Sequence, residues 1–313
     1  MRRHEYAGPV ALRAMQSLAV RVFPATGYRH IGDLAWNRCL SLDGADAGPT
    51  AVWSDGDRTL AWGWLELPDS LTLQVDPGHP ELTDDVLTRA ERAAPGPLAV
   101  DVAETEPALA AALERRGYAH VADGPAASDM RLPPRGTCLG RPLTGLPDMP
   151  RLPDGYTIRA QRGHADVAGR AAAHRAAFGS TRVTTELPQR GRWEVPPARM
   201  RDTWPYRAEF DPVVVSPGGD VVAYCQGWYD EVNGIGAFEP VGTHPGHRRL
   251  GLARAACVAV LHSFAAAGGR RAIVYTRGDA DYPVPKRLYE SMGFTAYTRT
   301  HTYVGPPTRT RST

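Results

Sequence analysis

Lysine is nearly missing from this chain of 313 residues: Lys286 is the one lysine among 36 basic side chains, and the rest are arginine. With 32 glycines and 28 prolines alongside, that imbalance reads as a codon bias towards G and C, not as a functional demand. Charge of one sign is absent too. The 36 basic and 34 acidic residues leave a net charge of +2, and no basic tail or aromatic-interleaved basic stripe occurs, so no nucleic-acid partner is expected. Cysteine is scarce. Cys39, Cys138, Cys225 and Cys257 have no paired metal-type spacing, which predicts no metal site and no disulfide framework. Long apolar runs are also lacking: Arg13, Gln16 and Arg21 break up the N-terminal segment, and nothing approaches a membrane span. These absences point to a cytoplasmic protein with no membrane partner. What remains is 42% apolar and 22% charged, a globular composition in a chain long enough for two domains.

The most informative stretch is 239–254, Glu-Pro-Val-Gly-Thr-His-Pro-Gly-His-Arg-Arg-Leu-Gly-Leu-Ala-Arg. Its pattern predicts a strand over 235–243, a tight turn at Pro245-Gly246 and a helix over about 250–267. Arg248, Arg249, Leu250, Gly251, Leu252 and Ala253 fit Arg/Gln-x-x-Gly-x-Gly/Ala. Small residues at the start of a helix let the backbone wrap a phosphate at the positive end of the dipole. Arg248, Arg249 and Arg254 add fixed charge.

This loop resembles the acyl-CoA signature of the GNAT acetyltransferase superfamily. Residues 285–294, Pro-Lys-Arg-Leu-Tyr-Glu-Ser-Met-Gly-Phe, are similar to the family's late helix with its Leu-Tyr-Glu-x-x-Gly-Phe ending. The chain departs from the family pattern at Tyr282 and Lys286, where the family often has Asn and Ala. The resemblance implies an α/β fold with a mixed sheet and acetyl-CoA, or another acyl-CoA, as cofactor. It also implies a pantetheine arm lying along Val241, Gly242 and Thr243; a glycine in a strand lets another backbone approach, or marks a bulge.

The chain contains the pattern twice. Residues 108–121 echo 284–297, with Gly117-Tyr118 answering Gly293-Phe294, and Val75-Asp76-Pro77-Gly78-His79 echoes Thr243-His244-Pro245-Gly246-His247. Two tandem GNAT-like domains follow: a degenerate first domain over 1–132, a Pro/Gly-rich linker over 133–154 and a catalytic domain over 155–313. In the first copy Pro80 stands for Arg248, Thr83 for Gly251, Asp85 for Ala253 and Leu113 for Tyr289. Two carboxylates beside a diphosphate repel it by about 4 kcal/mol per charge pair at an effective dielectric near 20. The first domain is therefore expected to hold no CoA. This layout resembles that of tandem GNAT enzymes that acetylate an amino-thiol sugar conjugate.

Acyl transfer to an amine needs a base and a proton for the departing sulfur. The resemblance assigns the proton to Tyr289, against the alternative of a core tyrosine. Glu239 is the candidate base: it shares a face of its strand with Thr243, and burying its carboxyl raises the pKa. A salt bridge to an arginine is the structural alternative, and His244 the alternative base. The segment 192–211 and the end of the neighbouring strand suggest an acceptor site with Trp193, Trp204, Trp228 and Asp230. The expected activity is N-acetylation of a small amine in a ternary complex. A non-catalytic acyl-CoA sensor or an O-acyltransferase are the other readings.

Overall fold

The computed structural model describes residues 2–40, 47–121, 135–179, 197–277 and 283–306. Its first half runs β1 (Arg2–Tyr6), α1 (Gly8–Thr26), α2 (Ile31–Leu40), β2 (Ala47–Asp55), β3 (Arg58–Glu66), β4 (Ser70–Val75), α3 (Leu82–Ala93), β5 (Ala99–Ala103), α4 (Pro107–Arg115) and β6 (Ala119–His120). After β7 (Arg135–Pro142), the second half runs β8 (Thr157–Ala160), α5 (Val167–Gly179), α6 (Pro197–Arg201), β9 (Pro212–Val215), β10 (Val221–Asp230) and β11 (Ile235–Thr243). It ends with α7 (Leu252–Ala266), β12 (Arg271–Arg277), α8 (Val284–Glu290) and β13 (Thr295–Val304).

All these strands join one mixed sheet in the order β1-β2-β3-β4-β5-β13-β7-β12-β11-β10-β9-β8, with β6 beside β13. The two halves share their central strands. β13, the last strand of the chain, pairs antiparallel with β5 of the first half from Thr300↔Ala103 to Val304↔Ala99. β7, which follows the first half, lies between β12 and β13 and pairs with both. Residues 135–142 therefore form a central strand inside the stretch read as linker. Gly136 and Gly140, which made it look like coil, sit where a Cβ would crowd Thr300 and Arg271, so close packing selects glycine there.

Alternation along the strands gives the sheet two apolar faces. On one, α3 and α4 cover the first half through Leu82, Val86, Leu109 and Leu113, and α7 covers the second through Val258, Leu261 and Phe264. On the other, α1 and α2 pack on Val52, Trp62 and Trp64. That second face is continuous across the halves. Phe23 of α1 packs with Ala237 and Ile273, and Ala35, Trp36 and Cys39 of α2 pack with Met200 and Trp228. Gly27 and Arg29 turn the chain between α1 and α2 with φ of 62° each. Tyr297 Oη donates to the Gly27 carbonyl (2.8 Å) and Tyr275 Oη accepts from the His30 N–H (3.2 Å), so this turn is pinned to β12 and β13.

Candidate active site

β11 runs into the loop as its pattern predicts. Pro245–His247 form a single 3-10 turn, and Gly251, at φ 76°, starts α7; Arg249 before it also has positive φ, 64°. No atom lies within 4 Å of where a Gly251 Cβ would stand, so its surroundings are open. The first N–H of this region that a backbone carbonyl accepts is that of Ala255, bonded to Gly251 O at 3.0 Å. Among the described residues, the N–H groups of Arg249, Leu250, Gly251, Leu252, Ala253 and Arg254 reach no backbone carbonyl. A helix N-terminus always has such orphans, and here they project from an exposed loop at the positive end of a 15-residue helix. The arginines are not equivalent. Arg248 is anchored, its Nη2 donating to Ala177 O at 2.9 Å and its Nε to Thr243 O at 3.4 Å, while Arg249 extends into solvent. His244 Nδ1 accepts from the Gly246 N–H (3.2 Å), which caps this turn.

The strand before the loop separates from its neighbour. β11 pairs parallel with β12 from Ile235↔Arg271 to Phe238↔Val274 and no further. Among the described residues, the β12-facing edge of β11 from Glu239 to Thr243 pairs with no strand, although β11 remains paired with β10. The parting begins at a bulge. Cys225 pairs with Val241 and Gly227 with Phe238, so two residues, Glu239 and Pro240, stand opposite the single Gln226. The Glu239–Pro240 peptide is cis. Here an extended chain can add itself to Val241, Gly242 and Thr243 by main-chain hydrogen bonds. Gly242 has a different reason from the one expected: a Cβ there would overlap the Tyr224 ring, on the face away from α7.

Glu239 and Tyr289 approach this parting from opposite faces. Glu239 is half-buried on the face covered by α2, and its backbone carbonyl accepts from Trp228 Nε1 at 2.6 Å. Among the described residues its carboxylate has no ion-pair or hydrogen-bond partner. Burial, with the charge of Asp33 second, pushes its pKa up to about 8. Tyr289 is 6% exposed on α8, its ring 6.3 Å from Phe238 and 5.9 Å from Phe294. It is packed in the core and stands beside the parting strand, so the two readings of this tyrosine are compatible.

The acceptor residues are not gathered in one place. Trp193 lies outside the described residues. Trp204 is 42% exposed at the junction with α1: Arg13 stacks 4.2 Å from its ring centroid and its carbonyl accepts from Gln16. Trp228 is fully buried beneath α2, where a Cβ on Gly32 would overlap it, so it supports the site and does not line it. Asp230 is a correction. Its Oδ1 accepts from the N–H groups of Val232 and Asn233 and its Oδ2 from Asn233 Nδ2, so both oxygens are spent on closing the β10–β11 turn. Other residues on this side of the sheet went unmarked by the sequence reading. Asp33 comes from α2, Gln226 from the bulge, and Tyr224 stacks under Arg170 (3.2 Å to the ring centroid) and bonds His174 Nδ1 at 2.6 Å. Burial lowers His174 to about 3, with the neighbouring Arg170 and Arg175 adding to the effect. No motif marks these residues; contact across the sheet assembles them.

A strand bulged and parted from its parallel neighbour, running into a phosphate-type loop and helix, is the arrangement expected of a GNAT acyltransferase site. The GNAT acetyltransferase family model matches residues 181–294. The mycothiol acetyltransferase of Frankia alni is 29% identical over 277 residues, 81% of this chain and 77% of that protein. The mycothiol acetyltransferase of Streptomyces avermitilis is 31% identical over 162 residues, 50% of this chain and 49% of that one. Among solved structures, a tandem GNAT protein from the clavulanic acid biosynthesis pathway superposes with a TM-score of 0.63 over 99% of both chains. At 15% identity that likeness shows the fold: two GNAT-like units in tandem.

Proposed function

We propose that the chain is an acetyl-CoA-dependent N-acetyltransferase for a small, hydrophilic primary amine, related in type to the acceptor implied by its mycothiol acetyltransferase relatives. The second half fits the cofactor. The orphan N–H groups from Arg249 to Arg254 and the exposed Arg249 suit a diphosphate, and the unpaired edge of Val241, Gly242 and Thr243 suits an amide-bearing arm. When bound, acetyl-CoA supplies an activated acetyl thioester. The observation that carries the reading is Glu239: a half-buried carboxylate, raised to about 8, with no cation paired to it among the described residues, at the point where the strands part.

The residues have separable tasks. Glu239 takes a proton from an arriving ammonium at a carboxylate oxygen, and its pKa lies close enough to that of an amine for the transfer to be nearly balanced. Trp228 holds the Glu239 backbone and is itself packed against Trp36 of α2. Tyr289 Oη holds the proton that leaves with the sulfur. The test is product detection by mass spectrometry after incubation with acetyl-CoA and a panel of cysteinyl-glucosamine, L-cysteine amide, glucosamine and tyramine. Mass spectrometry is needed because a thiol-bearing acceptor reacts with the usual thiol reagents. Acetylation of the amine nitrogen is the expected result. Tight CoA binding with no acetylated product from any amine would make the chain a non-catalytic acyl-CoA binder.

A further inference from the structure

Helix α5 buries one face: Arg170, Ala173, His174 and Ala177, at helical spacing. Two of these residues are polar, and both end on Tyr224 of β10. The Arg170 guanidinium lies 3.2 Å from the centre of the Tyr224 ring, and His174 Nδ1 is 2.6 Å from its Oη. Tyr224 in turn pairs with Gly242 across β10 and β11, where a Cβ would overlap Oη and stand 2.6 Å from Cζ. Arg170, Tyr224 and Gly242 thus form one line of contact from α5 to the strand that leads into the loop.

Stability alone does not explain this line. Arg170 is 3% exposed and Tyr224 is fully buried. Asp211, the acid beside Arg170, is also fully buried, yet Arg170 Nε stands 3.6 Å from its Oδ1, too far for a hydrogen bond. Asp211 Oδ2 accepts instead from Gln161 Nε2 and from Tyr206 Oη (3.3 Å). Arg170 Nε and Nη2 are buried without a hydrogen-bond acceptor. A desolvated pair of this geometry stabilises little, and apolar side chains of similar volume would pack here at lower cost. The charge does hold a planar cation over the phenol ring, a contact for which guanidinium is well suited.

The same helix holds the end of β11 in a second way. Ala177 O accepts from Arg248 Nη2 (2.9 Å), and Arg248 Nε donates to Thr243 O (3.4 Å). Between these two holds lies the edge of β11 that pairs with β10 on one side and, among the described residues, with no strand on the other.

We propose that α5 is a clamp on this edge, with Arg170, acting through Tyr224, as a positioning residue that sets Val241, Gly242 and Thr243 for the arm of an acyl-CoA. This rests on the reading of that edge as the acyl-CoA site and names what holds it in place. An arm that adds by main-chain hydrogen bonds needs the receiving edge at a fixed place, because such bonds weaken steeply with distance and angle. Gly242 has no side chain with which to anchor itself. The Tyr224 ring supplies that anchor, and Arg170 holds the ring.

The experiment measures CoA affinity by calorimetry, and kinetics with acetyl-CoA and the fastest amine of the panel above, in full-length wild type, Arg170→Met and Arg170→Lys. Asp211, already raised to about 6 by burial, takes up a proton once its cation is gone, so Arg170→Met leaves no buried charge unpaired. Arg170→Met should raise the Kd for CoA and the KM for acetyl-CoA together by about 10-fold, with kcat and the amine KM unchanged, the cost of a contact misplaced from a distance. Arg170→Lys returns a cation to the ring and should recover part of the loss. A purely structural role would lower the melting temperature and leave both constants of the folded protein where they were. Gly242→Ala asks the same question from the strand, and answers it even where Arg170→Met does not fold. Its Cβ meets the ring, so CoA affinity should fall, and adding Tyr224→Leu should restore part of it. Unchanged CoA affinity in folded Arg170→Met, equal losses in Arg170→Met and Arg170→Lys, or no rescue of Gly242→Ala by Tyr224→Leu would overturn the clamp while leaving the acyl-CoA site standing. A wild type that binds no CoA would overturn the acyl-CoA reading itself, and the clamp with it.

Discussion

The two halves repeat one architecture and differ at one loop. Both have parallel strands that part after a few residues. β4 and β5 pair only at Ser70↔Ala99 and Leu71↔Val100, as β11 and β12 pair only to Phe238↔Val274. In the second half the strand leads to a glycine at positive φ and a helix start with orphan N–H groups. In the first, the corresponding loop consumes its own donors: the N–H groups of His79, Leu82 and Thr83 bond to Asp76, His79 and Pro80 carbonyls. Asp76 Oδ1 takes the Gly78 N–H, and its other oxygen is paired with Arg21 and Arg58 at 3.1 Å each. Asp84 and Asp85 already occupy the first turn of α3. One scaffold thus carries an open anion cradle and a closed copy of it. The loops differ in backbone as well as in side chains: Arg249 and Gly251 have positive φ, and no residue from Asp76 to Asp85 does.

The largest effect is expected from separating the halves. A fragment of residues 151–313 lacks β7, so β12 and β13 lose the strand between them and the face of β11 loses α2. It should show no cooperative thermal transition by circular dichroism; a normal melt would mean that the second half completes its sheet in another way. Next is the cradle itself. Gly251→Asp puts a side chain at φ 76° and a negative charge at the N-terminus of α7, and should abolish CoA binding by calorimetry. Tyr289→Phe should lower kcat by about 10²–10⁴-fold with CoA affinity unchanged; equal kcat would leave Tyr289 a packing residue.

Glu239→Gln sharpens the comparison through pH. The wild-type rate should rise as pH passes about 8, where Glu239 becomes the base, and that limb should vanish in the variant. Stability moves with it. A carboxyl raised from 4.5 to about 8 by folding supplies stability below its ordinary pKa, and loses it as pH rises through the folded value. The glutamine variant should therefore melt higher than wild type at pH 9, and the difference should shrink towards pH 5. The smallest effect belongs to the closed loop: Asp85→Ala should leave CoA affinity where it was, and any gain in a second CoA site would show that charge alone kept the first half empty.

Local signals determined much of this protein. The strand Ile235–Thr243, the loop at Gly251, α7 and β12 follow from periodicity and small residues, because a strand-to-helix anion loop is specified within a short span of chain. The tandem repeat was legible for the same reason, and Pro80, Thr83 and Asp85 marked where its first copy departs from the second. The tertiary structure alone decided which strands complete each half of the sheet. Gly136 and Gly140 made β7 look like linker, yet its neighbours β12 and β13 come from the far end of the chain. The surroundings of Glu239 were hidden likewise: Asp33 on α2, Gln226 at the bulge, and Asp230 turned back onto its own turn. Main-chain turns and dipoles act between neighbours in sequence and leave a mark there. Burial, ion pairing and pKa shifts depend on which distant residues the sheet brings together, and no single segment records that.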